Sequence, residues 1–268
     1  MKEYSLVFPE VPPISPKSVR KLMIFSWKRR FPENRSSGLG ISLPGIVDPV
    51  RKMITYSHAL GVRDLPFGKI QSYFPWHCTF LNDANAGAFA EGIGSDLPSS
   101  FFYLSLSNTV GGAIFHDGNL LPGDAFRCGE AGHMTLIPDG KPCYCGKTGC
   151  VDAYCSARLL SDLSGGRLED FFLGLQQNNP DYRSVWDTYL KHLAVVINNL
   201  HMLLDYDIVL GGYVGSFLTP WLDTIRHLVA ERNTFEDDGS FVKLCTYQTG
   251  AAAYGAAMDV MEGFLRTV

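Results

Sequence analysis

Four side chains of the kind that bind soft metals crowd into one stretch: His133, Cys143, Cys145 and Cys150, spaced H-x9-C-x-C-x4-C, with Gly132, Gly140, Gly146 and Gly149 among them. No other feature restricts the fold so sharply. A chain that brings these groups onto one ion must wrap the segment into a tight loop, and the glycines permit the turns. Three thiolates and an imidazole suit zinc in a closed tetrahedron. Four protein ligands leave no position for water, so the spacing predicts a structural ion; the alternative is a loop of unliganded thiols. Seven cysteines is an odd number, and the crowding of three argues for metal in a reducing compartment over disulfides. Cys78, Cys128, Cys155 and Cys245 are scattered and read as small buried hydrophobes.

The remaining sequence bounds the class. With 268 residues, 46% of them hydrophobic, the chain can bury one large core or two modest ones. A formal charge of -4 gives no pull toward nucleic acid, and the densest basic cluster, Lys28-Arg29-Arg30, reads as the solvated end of a helix. Met1 to Phe8 lacks an apolar stretch of signal-peptide length, and no run reaches the roughly 18 apolar residues of a membrane span. A cytoplasmic globular protein without direct nucleic-acid contact is expected.

Along the chain, Tyr4 to Phe8 reads as a strand, followed after several prolines by a helix from Lys17 with Val19, Leu22, Met23 and Trp27 on its apolar side. Gly38 to Leu43 and Trp76 to Leu81 read as strands, with a long, mostly irregular stretch between them. Asn82-Asp83 then caps a small-residue helix, Ala84 to Ile93. Phe101 to Ser107 and Val110 to His116 form a hairpin that Asp117-Gly118 turns into a further strand. Trp186, Leu190, Leu193, Ile197, Leu200 and Leu204 step along one face of a long helix. Ile208 to Leu210, a helix near Phe217 to Arg232, a strand at Phe241 to Thr246 and a helix from Ala251 complete an α/β alternation. Ser95 to Ser100 reads as a domain junction.

Three linked motifs sharpen this reading: Asn82-Asp83-Ala84-Asn85, Gly129-Glu130-Ala131-Gly132-His133-Met134, and Cys143-Tyr144-Cys145-Gly146 through Gly149-Cys150-Val151-Asp152. In order and spacing the chain resembles the ROK family (repressor, open reading frame, kinase). The likeness extends upstream through Pro44-Gly45 and downstream through Gly211-Gly212 and Gly250. It implies an α/β, two-domain actin-like ATPase (ribonuclease H-like) fold with a truncated N-terminal domain. The expected domains are 1–97 plus 252–268 and 98–251, the latter carrying the zinc loop, with sugar bound between them and a homodimer or homotetramer.

Carried over by the resemblance, Asp83 stands where the family's kinases keep the general base. The helix dipole and backbone N–H groups are expected to hold it ionised; alternatively it only caps its helix. Asn82, Asp83, Glu130, His133 and Asp152 match sugar-binding positions, His133 serving zinc with one nitrogen and sugar with the other, although Glu130 outside this context reads as an exposed loop carboxylate. Asp152 stands where the kinases more often have Glu. Asn108, Thr109, Gly111, Gly112, Gly211 and Gly212 match the nucleotide side. The kinases' phosphate turn, Gly-Thr-Gly, is replaced by Ser107-Asn108-Thr109, and no Asp-x-Gly-Gly-Thr motif precedes Gly38.

Three readings follow. The leading one is a non-catalytic, sugar-sensing body like that of a ROK transcriptional regulator, without a helix-turn-helix in this sequence. The second is an ATP-dependent hexose or amino-sugar kinase using Mg2+ and Asp83; the third is a zinc-stapled dimerisation body without ligand.

Overall fold

A computed structural model describes residues 23–26 and 38–265. The strand expected at Tyr4 to Phe8 and the start of the Lys17 helix lie outside the described residues. Met23–Ser26, expected on that helix, is instead a strand, β1, paired antiparallel with β2 (Gly38–Leu43). The paired edge of β2 supplies the hydrogen bonds that local helix formation would otherwise have to provide.

β2 is buried on both faces past its first residue, as a central strand between two neighbours must be. It runs parallel to β6 (His77–Asn82) on its other side. The stretch between them is not irregular. It holds a three-stranded antiparallel meander, β3 (Ile46–Asp48), β4 (Met53–Ser57) and β5 (Val62–Pro66), and a short helix, α1 (Phe67–Gln71). Its strands are half-exposed and polar, so they carry little hydrophobic signal. Ile54 and Leu60 anchor the meander to Leu39, Ile41, Leu43 and Phe80.

α2 (Asp83–Gly94) begins where expected. Asn82 Oδ1 accepts from the N–H groups of Ala84 (2.9 Å) and Asn85 (3.0 Å), an N-cap that relieves two of the helix's open donors. α2 leads into a second sheet whose core is the expected hairpin, β7 (Phe101–Leu106) and β8 (Val110–His116), with β9 (Asn119–Leu120) beyond it. Every residue of β7 is buried because both faces are covered: Phe101 and Tyr103 pack with Ala84 and Ala88 of α2, whereas Phe102, Leu104 and Leu106 join the larger core.

That core rests on the long helix α6 (Pro180–Leu204), capped by the side chain of Asn179 and opened by Pro180. Its stripe of Trp186, Leu190, Leu193, Ile197 and Leu200 is buried. α3 (Asp152–Cys155), α4 (Ala157–Ser161) and α5 (Leu168–Gln176) precede it. β10 (Asp207–Gly211) runs parallel to β7 and to β11 (Val242–Leu244), which is shorter than Phe241 to Thr246. A one-turn helix, α7 (Gly212–Gly215), follows β10, and the helix expected near Phe217 to Arg232 is present but shorter: α8 (Leu222–Ala230) starts after a tight turn at Thr219–Trp221 that contains Pro220, which has no N–H to donate to a longer ladder.

The terminal helix α9 (Ala251–Leu265) returns to cross α2 and β2. Small residues set this crossing. A Cβ on Gly255 would collide with the Ala86 carbonyl, and one on Gly40 with that of Ala256. Among the described residues no helix is long and apolar enough to cross a membrane.

Candidate functional site

The segment from Ala131 to Cys150 closes on itself through backbone pairs. Leu136 N–H donates to the Gly149 carbonyl, Gly149 N–H to Lys141 and Cys143 N–H to Lys147, each at 2.8 Å. Gly149, at φ +78° and against the Ile137 carbonyl, leaves no room for a side chain. The wrap brings ligand atoms of His133, Cys143, Cys145 and Cys150 within 4.8 Å of one another. The Cys145 and Cys150 sulfurs are 3.7 Å apart, close to the roughly 3.8 Å edge of a tetrahedron with Zn–S bonds of about 2.3 Å.

His133 Nδ1 is buried with no hydrogen-bond partner. An orphaned imidazole nitrogen beside three thiols fits a metal ligand. The thiols differ in acidity: burial pushes Cys143 up to about 12, whereas at Cys145 the Lys147 N–H and neighbouring thiols outweigh burial and lower the pKa. The other ring nitrogen of His133, Nε2, lies 3.3 Å from the Tyr144 hydroxyl.

Tyr144 belongs to a cavity of about 760 Å³ bordered by the meander, the start of α2 and the loop before the cysteine segment. Asn82, Asp83, Glu130 and His133 all line it. A second cavity, of about 940 Å³, is lined by Ser105, Asn108, Asp152, Gly212, Tyr213 and the start of α9. Pro44, His58, Ala59, Asp83, Thr109 and Tyr144 border both. Asp83 therefore stands at the junction of the two spaces.

Asp83 sits deep enough that burial raises its pKa, against the lowering effect of the Ala84 N–H bond. Removal from water thus acts against the helix terminus, which is expected to favour the ionised form, and outweighs it in the direction of the shift. Burial raises Glu130 as well, helped by the charge of Asp83 and opposed by Arg127. Two carboxyl groups thus face one space.

The other expected residues are less free. Asn82 uses both lone pairs of Oδ1 on the cap and one N–H on the Gly45 carbonyl at 3.0 Å, leaving one N–H for a ligand. Asp152 is buried and accepts from the Val110 N–H at 2.6 Å, so it anchors the start of β8 and borders the second cavity, not the first. Gly111 lines the first cavity. Gly112 lines neither; it seats the loop before Glu130, since its Cβ would lie 2.6 Å from the Gly129 carbonyl. Gly211 packs on Tyr103, and Gly212, at φ +77°, borders the second cavity against Leu106 and Ser107.

Sequence reasoning does not reach His58, Tyr144 or Arg63. Tyr56, His58, Tyr144 and His133 form a chain of edge-on ring contacts with centroids 4.5, 4.9 and 5.4 Å apart, and Arg63 caps Tyr56 at 4.7 Å. Burial, with the nearby His133 and Arg63, lowers the pKa of His58. Tyr144 carried a usable signal: a residue between two ligands of one ion is held wherever the ion holds the loop. His58 carried none, because the contact depends on the meander.

Two α/β layers joined through a pair of small-residue helices, with a polar cleft between them, define a protein of the actin-like ATPase fold. Within that fold the chain belongs to the ROK family, whose model matches residues 18–262. It is similar to a glucokinase of Halalkalibacterium halodurans, 29% identical over 84% of this chain and 76% of the relative. It is also similar to the xylose repressor of Bacillus spizizenii, 29% identical over 76% of this chain, and there it spans half of the repressor's length. The ROK family glucokinase from Streptomyces griseus, solved in complex with glucose and AMPPNP, superposes with a TM-score of 0.72 at 22% identity, covering 84% of this chain and 81% of that one.

Proposed function

We propose that the first cavity binds a neutral hexose or amino sugar and that the chain acts as a sugar-sensing, non-catalytic ROK body. The contrast between the two cavities carries this reading. Asn82, Asp83, Glu130 and His133 line the first, whereas the second is bordered by a Ser107-Asn108-Thr109 turn where phosphate binding favours bare backbone N–H groups. His133, Cys143, Cys145 and Cys150 would hold zinc, which fixes the His133 ring so that Nε2 faces the sugar. Asp152 acts on the sugar site through β8. Domains 1–97 plus 252–268 and 98–251 flank the cleft, and the chain assembles as a homodimer or homotetramer in the cytoplasm.

The position of Asp83 favours a second reading, an ATP-dependent sugar kinase. A half-buried base between a sugar space and a nucleotide space, its pKa raised by desolvation, can take the proton of an attacking hydroxyl. Mg2+ and ATP would then occupy the second cavity near Asn108, Thr109 and Gly212. General-base assistance is worth about 10²- to 10⁴-fold, however, and phosphoryl transfer depends mainly on placing and neutralising phosphates. Calorimetry over a sugar panel is expected to show binding, and a coupled ADP-release assay with Mg2+ and ATP to show no sugar-dependent turnover. Turnover at or above about 1 s⁻¹, abolished by Asp83→Asn, would establish the kinase reading instead.

A further inference from the structure

The C-terminal end of α6 gathers another set of ligand-type side chains, unrelated to the sugar cleft. His201 lies in the last turn of the helix, Asp205 is the left-handed residue that caps it, and Glu236 comes from the loop after α8. Their ligand atoms lie within 4.8 Å of one another. His201 is 5% exposed, its ring stacked on Phe241 at 3.6 Å and 8°. Its Nδ1 lies 2.8 Å from the Tyr206 carbonyl. A carbonyl oxygen only accepts, so Nδ1 carries the proton, and in the neutral ring Nε2 presents a lone pair.

That lone pair faces Glu236 Oε2 at 3.4 Å, a buried oxygen with no hydrogen-bond partner. With the ring neutral, two acceptors are aimed at each other with no proton between them. The separation exceeds the roughly 2.7–2.9 Å of a charge-assisted N–H···O bond. It matches the edge of about 3.3–3.4 Å of a tetrahedron with Zn–N and Zn–O bonds of about 2.0–2.1 Å. Asp205 and Glu236 also sit at the negative end of a 25-residue helix, where cations are favoured and anions are not. Among the described residues neither carboxylate has a Lys or Arg partner within 4.0 Å.

We propose that His201, Asp205 and Glu236 form a second metal site, for a divalent first-row transition ion with zinc the fitting member. The donor set is one imidazole and two carboxylates, borderline in softness. The Tyr206 carbonyl orients the imidazole in the way backbone acceptors orient metal-bound histidines. Three protein ligands leave a position for water. The ion clips the end of α6 to the loop between α8 and β11, and nothing in this depends on sugar binding.

The test uses the full chain, equilibrated with Zn2+ and desalted, beside Glu236→Gln and Asp205→Asn, two partly exposed positions where substitution leaves the core intact. Elemental analysis should find one more zinc per chain in the wild type than in either variant, a difference that holds whatever the cysteine loop contains. Titration of Zn2+ should show the second affinity weakened more than about 10-fold in both variants, the scale reached by loss of even an outer partner. Zinc should raise the Tm of the wild type more than that of the variants. Equal zinc content in all three proteins, or a Tm response to zinc that both variants retain in full, would overturn the site and leave an imidazole–carboxylate contact alone.

Discussion

Asp83 and Glu130 show how burial can oppose stability where function needs it. Both carboxyl groups have raised pKa values, Asp83 through loss of water and Glu130 through loss of water and then the charge of Asp83. The folded protein therefore binds these protons more tightly than the unfolded chain does. Their contribution to stability is fully present below the unfolded values near 4 and is lost as pH rises through the folded ones. Asp83→Asn keeps the acceptor for the Ala84 N–H but removes the buried charge. Thermal unfolding should give it a higher Tm than the wild type at pH 7, an advantage that vanishes below about pH 4. A variant less stable than wild type at pH 7 would show that the charge has a partner we have missed. Glu130→Ala should weaken sugar binding by about 1.5 to 3 kcal/mol, the worth of a hydrogen bond to a charged group, read by calorimetry.

At the scale of elements, the cysteine loop and the β7–β8 hairpin act as one unit. Gly112 seats the Gly129 turn, Asp152 holds the Val110 N–H, and the Tyr144 hydroxyl meets His133. A disturbance of the loop therefore reaches Glu130 and His133 together. Stripping zinc with a chelator should lower Tm by at least about 6 °C, what about 3 kcal/mol is worth in a chain of this size, and should abolish sugar affinity in the same titration. Loss of zinc with both quantities unchanged would separate the loop from the site. Asp152 ties the same unit to the cleft: its carboxylate accepts from the Val110 N–H at 2.6 Å, and Val110 lines the first cavity.

For the whole molecule the crossing of α2 and α9 decides how the two sheets meet. Asp83 opens α2, and Ala251 and Ala252 open α9 at the second cavity, so the relative seating of these helices sets the cleft. At Gly255 the obstructing group is the Ala86 carbonyl, which cannot rotate aside as a side chain can. Gly255→Ala should cost about 3 kcal/mol, the upper end for overpacking, and should weaken sugar binding by displacing Asp83. Gly263→Ala, on the same helix with open space around it, should cost nothing or stabilise by about 0.5–1 kcal/mol. Chemical denaturation of the pair checks both, and equal stabilities would mean that the helices part without strain.

The sequence alone determined what depends on near neighbours or on intrinsic chemistry. The stripe on α6 follows from helical period, the cap at Asn82 from a side chain two and three residues from its donors, and the metal set from the affinity of thiolate and imidazole for soft cations. Met23–Ser26 and the meander over 46–66 escaped it, because short strands are defined by the partners they pair with, and those lie elsewhere in the chain. Only the tertiary structure decided that Asp83 borders two cavities at once, that His58 reaches Tyr144, and that the pKa of Asp83 rises. Each of these depends on how much water is excluded and on which distant groups arrive, and burial acts through the whole surrounding volume, not along the chain.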